Sequence, residues 1–219
     1  MHTAIRMTRL GTETAFEVLA KAKELEAQGK EIVHLEIGEP DFDTPINIRF
    51  AAKKAIDDGY THYGPSPGLP ELRRTIAKYV GKFRNMKIDP DEVVVTPGAK
   101  PIIFFSILAW LEPGDEVIIP SPAFPIYESM VNFIGAKAVF LPLREENDFS
   151  VTVDDFKKLV TPATKMVILN SPQNPTGGIL DEKTLRGIAN IIANDKKILV
   201  LSDEVYSEMI YEGEHFSIA

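Results

Sequence analysis

Two carboxylates and a phenol follow an apolar run near the end of the chain. The stretch "KKILVL" (196–201) has the composition of a buried strand, and "SDEVY" (202–206) comes directly after it. A carboxylate at such a position needs a partner, because an unpaired charge in a protein interior is very costly. Asp203 is therefore a candidate for holding a cationic group of a ligand, with Tyr206 close by. A salt bridge or a helix cap would also explain Asp203 taken alone.

A glycine-containing turn follows another predicted strand, "EVVVT". The turn "TPGAKP" (96–101) opens a helix. A helix N-terminus offers unpaired N–H groups and a partial positive charge, which suit a phosphate group. Lys100 would add a full positive charge. An ordinary strand-to-helix turn remains the alternative for this segment taken alone.

Two further predicted strands end in segments that could contact a ligand. "SPAFPIY" (121–127) carries Phe124, whose ring could lie flat on a ligand ring. "SPQNPTGG" (171–178) carries Asn174, which the following proline biases toward an extended conformation, so that its amide could donate to a ligand. A core aromatic and a plain Asn-Pro turn are the alternatives.

Together these side chains describe one ligand, pyridoxal 5′-phosphate (PLP). Its phosphate is anionic, its pyridine ring is flat and its phenolic oxygen carries negative charge. The ring acts as an electron sink when its nitrogen is protonated. A nearby aspartate favours that protonated form. The sequence therefore predicts a PLP site with Asp203 beside the ring nitrogen.

Alternating strands and helices must bring these segments together. Short β-rich runs, several of them apolar on both faces, alternate with helical patterns throughout the chain. The predicted strands are 31–38, 92–96, 116–120, 137–143, 165–170 and 196–201. This alternation predicts an α/β fold with a mainly parallel sheet and helices on both faces. In such sheets ligands bind beyond the carboxyl ends of the strands.

Composition excludes several other classes of protein. The 219 residues carry a net charge of −8, which argues against a nucleic-acid or membrane partner. There is no cysteine, so disulfides and thiolate metal sites are excluded, and the four histidines show no metal-ligand spacing. We find no signal-peptide pattern at the N-terminus and expect a cytoplasmic protein without a metal.

The order of the motifs resembles a known family. The chain resembles the fold-type I (class I/II) aminotransferases, which use PLP to move an amino group between an L-amino acid and a 2-oxo acid. The motifs that carry the resemblance are "LEIGEPDFDTP", "YGPSPGLPELR", "TPGAKP", "EPGDEVIIPSPAFPIY", "NSPQNPTGG" and "LSDEVY". The resemblance implies that residues 1–40 form an N-terminal arm with a helix and the first strand. Residues 41–219 would form the cofactor-binding large domain, and two copies would form a homodimer.

The resemblance also implies a role for individual residues. The cofactor-binding residues would be Gly98, Ala99 and Lys100 at the phosphate, Phe124 on the ring, Asn174 and Tyr206 at the phenolic oxygen, Asp203 at the ring nitrogen, and Tyr63 at the phosphate of the other subunit. Gly38 and Asn174 would contact the substrate. Pro101 departs from the family pattern, because proline removes one N–H that could bind the phosphate.

One part of the family's machinery has no counterpart here. Family enzymes hold PLP through a Schiff-base lysine placed after the aspartate motif, but the last lysine of this chain is Lys197. We therefore expect a truncated large domain without the C-terminal small domain, without a catalytic residue of its own and inactive alone. A separate C-terminal fragment could complete it. The alternatives are another enzyme of this fold, such as a C–S lyase or a cyclopropane-forming synthase, and a non-catalytic module for PLP binding or dimerisation.

Overall fold

The computed structural model describes residues 2–11, 14–193 and 197–219, which form two compact units. One unit comprises Glu13–Val95, and the other comprises Met1–Thr12 together with Thr96–Ala219. In the described part of the chain, no helix has both the length and the apolar character needed to cross a membrane.

Glu13–Val95 is a helical unit. Its helices are α1 (Thr14–Ala27), α2 (Ile46–Asp57) and α3 (Pro70–Phe83), and a short 3-10 turn covers Pro90–Glu92. Pro70 is the first residue of α3, where a missing N–H costs nothing. Arg73 of α3 donates to the Val93 carbonyl oxygen at 2.8 Å, which ties this helix to the segment that follows it.

The two strands predicted in this unit are not formed. Residues 31–38 and 92–96 pair with no strand among the described residues, so both predicted strands, including the first strand placed within residues 1–40, are wrong. Their apolar side chains show the same lack of cover: Val33 is 81%, Leu35 90% and Val94 62% exposed. A strand exists only through pairing with a neighbour, and alternating apolar residues do not supply that neighbour.

The second unit is built on a four-stranded parallel sheet. Its strands are β1 (Glu116–Ser121), β2 (Lys137–Pro142), β3 (Thr164–Asn170) and β4 (Leu199–Asp203), in the spatial order β2-β1-β3-β4. All three pairings are parallel. The strand predicted at 196–201 is observed as β4, and Lys196 lies outside the described residues.

Helices cover both faces of this sheet. They are α4 (Lys100–Trp110), α5 (Ile126–Ile134), α6 (Val153–Leu159) and α7 (Glu182–Ile192). A short 3-10 segment, Ile5–Arg9, precedes them in this unit. The pattern of residues 181–194 predicts a helix, which is observed as α7; Asn194 lies outside the described residues.

Neighbouring residues of β1 separate the two cores. Val117 and Ile119 pack with α4 and α5, whereas Ile118 packs in the opposite cluster with residues of α6 and α7. Because successive side chains of a strand point to opposite faces, a run of apolar residues indicates a strand that is covered on both faces. The predicted mainly parallel α/β fold, with helices on both faces, is confirmed.

Side chains fix the starts of the helices on one face. Asp181 accepts a hydrogen bond from the Thr184 backbone N–H at 2.6 Å, and Thr152 accepts one from Asp155 at 3.1 Å. Each satisfies a backbone donor that the first turn of a helix leaves without a partner. The contact with Thr184 also lowers the pKa of the Asp181 carboxyl below its ordinary value. These caps hold α6 and α7 in place without using any residue of the opposite face.

Candidate functional site

A cavity opens at the carboxyl ends of the strands, where the chain reverses the direction in which strands are added. From β1 the chain moves outward to β2, and it then returns to place β3 on the other side of β1. Ligands of parallel sheets bind at such a switch point. The cavity has a volume of about 360 Å³, within the ordinary range for a small-molecule site.

Seven of the residues predicted from the sequence line this cavity. They are Gly98, Ala99, Lys100, Phe124, Asn174, Asp203 and Tyr206. All of them belong to the unit that contains the sheet. They come from four separate segments, each following a predicted strand, so the cavity is where those segments converge.

The N-terminus of α4 forms one wall. The Thr96 hydroxyl donates to the Gly98 carbonyl oxygen at 2.6 Å, and the Gly98 N–H donates to the Thr96 carbonyl oxygen at 2.8 Å. Gly98 has a φ of +87°, which glycine adopts without strain. Pro101 carries no N–H, so the backbone donors that this turn can direct at an anion are those of Ala99 and Lys100.

Phe124 forms a flat apolar surface on another side. Its ring meets the Tyr127 ring edge-on, with centroids 5.8 Å apart and an interplanar angle of 85°. The Lys100 ammonium lies 5.8 Å from the centroid of the Phe124 ring. A cation and an aromatic surface therefore lie side by side, a combination suited to a ligand with an anionic group attached to a flat ring.

Asp203 receives a hydrogen bond from a buried phenol. The Tyr127 hydroxyl donates to Asp203 Oδ2 at 2.6 Å, and the Val205 N–H donates to Oδ1 at 3.3 Å. Tyr127 is only 1% exposed. Burial raises the pKa of its hydroxyl far above the ordinary value, and the charge of Asp203 raises it further. Tyr127 therefore stays a neutral hydrogen-bond donor to Asp203.

Asn170 joins the ends of β3 and β4. Its side-chain N–H₂ donates to the backbone oxygens of Asp203 at 3.0 Å and Pro172 at 3.2 Å. Its Oδ1 accepts the backbone N–H of Asn174 at 2.8 Å. Asn170 is 3% exposed and stands directly opposite Asp203 in the sheet register. This one amide fixes where the Asn174 segment leaves the sheet.

The Asn174 loop is held by its own buried side chains. Gln173 donates to the Pro122 carbonyl oxygen at 2.8 Å and accepts the Thr176 N–H, also at 2.8 Å. It thereby links the loop after β3 to the loop after β1. At the end of this framework the Asn174 amide lies 3.5 Å from the Tyr206 hydroxyl. Two groups able to hydrogen-bond the same ligand oxygen are thus adjacent.

Two predicted residues belong to the other unit. Gly38 lies in an exposed irregular segment, and the side chain of Tyr63 is fully exposed. Their predicted contacts with substrate and with the partner's cofactor stay predictions.

The sequence analysis missed Tyr127 and Asn170. Tyr127 is the last residue of the "SPAFPIY" motif, and Asn170 is the one strongly polar residue at the end of an apolar strand. A buried hydroxyl or amide needs a hydrogen-bond partner. Both positions were therefore detectable as polar groups that the fold must satisfy near the predicted site.

Lys100 is the only lysine that lines the cavity among the described residues. It begins α4, on the wall that the helix N-terminus forms. The described residues contain no group of three or more His, Cys, Asp or Glu side chains that could hold a metal ion.

Comparison with known proteins gives concordant matches. The family described as "Aminotransferase class I and II" matches residues 30–218 of this chain. An aspartate aminotransferase from Pyrococcus abyssi is 46% identical over 203 residues, which make up 92% of this chain and 52% of that protein. The chain spans about half the length of the curated relatives it matches.

Solved structures share the fold over the whole chain. The aspartate aminotransferase from Thermus thermophilus with maleate superimposes with a TM-score of 0.96 at 37% identity, covering 100% of this chain and 57% of that one. An alanine aminotransferase from Pyrococcus furiosus gives a TM-score of 0.93 at 38% identity, covering 99% and 56%. The sheet and its covering helices therefore belong to a fold shared with these proteins.

Proposed function

Because the chain belongs to the class I and II aminotransferase family, we propose that its cavity is a PLP site that serves amino-group transfer between an L-amino acid and a 2-oxo acid. The observation that carries the proposal is the convergence of Asp203, Phe124, Asn174 and the α4 N-terminus around one cavity. A carboxylate, a flat aromatic surface, an amide and an anion-binding turn match four different parts of the same cofactor.

The donor set fits PLP in charge and in shape. The N–H groups of Ala99 and Lys100, with the Lys100 ammonium, would hold the phosphate. Phe124 would lie against the pyridine ring, and Asp203 would pair with the protonated ring nitrogen. Asn174 and Tyr206 would hold the phenolic oxygen. When bound, PLP withdraws electrons from the amino acid's α-carbon. The residues described here bind and orient the ring that does so.

We further propose that the lysine required for transfer lies outside these 219 residues. Lys100 is the only described lysine at the cavity, and it belongs to the proposed phosphate wall. Without a group that moves the proton at the α-carbon, binding survives but turnover does not. On this proposal the chain alone binds the cofactor weakly and reversibly and catalyses no transfer.

Two copies pairing as a homodimer complete the proposal. Tyr63 is fully exposed in its own unit, as a side chain that reaches a second subunit must be. Gly38 would meet the substrate's carboxylate through its backbone N–H. A cytoplasmic location accompanies this proposal.

Titration with pyridoxamine 5′-phosphate tests cofactor binding, because this form has no aldehyde to react with surface lysines. The wild-type chain is expected to bind it reversibly. Asp203→Asn should weaken binding about tenfold or more, since hydrogen bonds to charged groups contribute about 1.5–3 kcal/mol. Exposed Asp154 in α6 provides the matched control, and Asp154→Asn should bind like the wild type. Equal binding by Asp203→Asn and wild type would refute the cofactor site.

Turnover assays test the missing lysine. The chain with PLP, 2-oxoglutarate and a panel of L-amino acids should show no multiple turnover. Sustained turnover that Lys100→Ala abolishes would place the base inside the cavity, and the proposal would be wrong on this point.

A further inference from the structure

Tyr127 contacts Asp203, which would pair with the ring nitrogen of the cofactor, and Phe124, which would lie against the face of that ring. Its hydroxyl donates to Asp203 Oδ2 at 2.6 Å, and its ring meets the Phe124 ring edge-on. It belongs to the first turn of α5, whereas Asp203 ends β4, so the contact joins elements 76 positions apart in sequence.

The surroundings of Tyr127 favour a fixed arrangement. The side chain is 1% exposed and packs in the core cluster with Ile103, Ile119 and Ile168. A side chain so enclosed has little freedom to leave its rotamer. Asp203 sits in a less enclosed place and lines the cavity. The buried phenol is therefore the rigid member of the pair, and the carboxylate is the member that it orients.

In this hydrogen bond Tyr127 is the donor and Asp203 is the acceptor. An ionised carboxylate only accepts hydrogen bonds, so the phenol must donate to it. Occupation of Oδ2 by this bond restricts rotation of the carboxylate about its Cβ–Cγ bond. The orientation of Oδ1 and of the remaining lone pairs of Oδ2 toward the cavity is then defined before any ligand arrives, and preorganisation of this kind increases affinity.

We infer that Tyr127 is a positioning residue, which fixes the Asp203 carboxylate through its hydroxyl and the Phe124 ring through its edge. It thereby sets the place of the ring nitrogen relative to the ring face. This inference rests on the proposed function. It adds a residue that lines the cavity but has no ligand-binding role of its own in the proposed arrangement, and that acts through Asp203 and Phe124.

The test measures preference for a ring nitrogen. Pyridoxamine 5′-phosphate and its 1-deaza analogue, in which carbon replaces that nitrogen, are titrated against the full chain. The ratio of their dissociation constants reports the interaction with Asp203 and leaves the phosphate contacts unchanged. Tyr127→Phe keeps the aromatic ring and removes the hydroxyl. Tyr211→Phe is the matched control, because Tyr211 is 95% exposed.

We expect the wild type and Tyr211→Phe to prefer the nitrogen-containing ligand. Tyr127→Phe should lower that preference by about three- to tenfold, the range that one hydrogen bond typically contributes. Binding of the deaza analogue should change little. An unchanged preference in Tyr127→Phe would overturn the inference and leave the proposed function standing. Absence of any preference in the wild type would overturn the proposed function and the inference with it.

A double-mutant cycle separates positioning from a general structural effect. If Tyr127 acts through Asp203, Tyr127→Phe should cause no further loss of preference in an Asp203→Asn background. Equal losses in both backgrounds would overturn the inference. In addition, the chemical shift of ¹⁵N-labelled bound ligand reports protonation of the ring nitrogen. The pH at which it titrates should fall in Tyr127→Phe, because a displaced carboxylate stabilises the cation less. This second readout does not depend on enzymatic turnover.

Discussion

Asn170 shows how much one buried side chain can hold. Its amide makes three hydrogen bonds to the backbone of the site: one accepted from Asn174, and one donated to each of the carbonyl oxygens of Pro172 and Asp203. Asn170→Ala would remove all three. We expect a loss of about 1–3 kcal/mol in the free energy of unfolding, because buried groups would lose their partners.

Asn170→Asp is the sharper variant of the same prediction. A carboxylate would place negative oxygen against two carbonyl oxygens, so this variant should be at least as destabilised as Asn170→Ala at pH 7. Urea unfolding measures both. Asn47→Ala, at an exposed position of α2, should change stability by less than about 0.5 kcal/mol. If Asn170→Ala behaves like Asn47→Ala, the hydrogen-bond network does not stabilise the fold.

The position of a residue in the sequence pattern decided whether sequence analysis found it. Asp203 and Asn174 stand out because they follow apolar strands, where the change from apolar to polar is abrupt. Tyr127 and Asn170 also line the cavity, but Asn170 is the last residue of the predicted strand 165–170 and Tyr127 lies in the first turn of a helix. The hydrogen-bond partners of these two residues cannot be read from the sequence, because Asp203 and Asn174 are brought beside them only by the order of the strands in the sheet.

Helices α6 and α7 approach closely at Gly187, which has no side chain. A Cβ added at Gly187 would lie 2.6 Å from Val153 Cγ2 and 3.1 Å from Cγ1. Alanine gains about 1 kcal/mol over glycine in helix propensity, but overpacking in a core typically costs about 1–3 kcal/mol. We expect Gly187→Ala to be destabilised despite its better helix propensity.

Removing the obstructing methyl groups should reverse the effect. In the double variant with Val153→Ala, the new Cβ has room, so the double variant should be more stable than Gly187→Ala alone. Urea midpoints for the wild type, the two single variants and the double variant complete the cycle. Strict additivity of the two changes would contradict the close approach seen in the structure.

The elements themselves divide into those the sequence predicts well and those it does not. The sequence predicts strands β1 to β4 because their β-rich runs alternate with helical patterns, and each of the four pairs within the described sheet. Residues 31–38 and 92–96 have similar composition and form no strand, since Val33, Leu35 and Val94 have no paired neighbour to pack beside. Composition indicates that a segment could form a strand, but the strand forms only where a neighbouring strand pairs with it.

For the chain as a whole, two features leave surface uncovered. Strand β4 pairs only with β3 in the described sheet. The outward side of α4 exposes Ile102, Phe105 and Leu108 by 42%, 57% and 53%. Open sheet edges and exposed apolar patches favour aggregation. We therefore expect the chain alone to aggregate in solution.

Co-expression tests whether another polypeptide covers these surfaces. The added fragment is the part of a curated relative that its match to this chain leaves uncovered. We expect it to raise the yield of dispersed protein and to co-purify with the chain, and an unrelated fragment of equal length serves as the control. A yield that neither fragment changes would show that the exposed edge and helix do not limit the chain.

The parallel order of the strands also affects how the chain would fold while it is being synthesised. Each strand joins its neighbour only after a crossover, so β1 and β2 can pair early, β3 adds to the other side of β1, and β4 docks last at the edge. As the nascent chain leaves the ribosome, the α4 turn and Phe124 are available long before Asp203 and Tyr206. Tyr127 is therefore synthesised well before Asp203, the acceptor of its hydrogen bond. A ligand that needs the aspartate can therefore meet this cavity only after residue 203 has emerged.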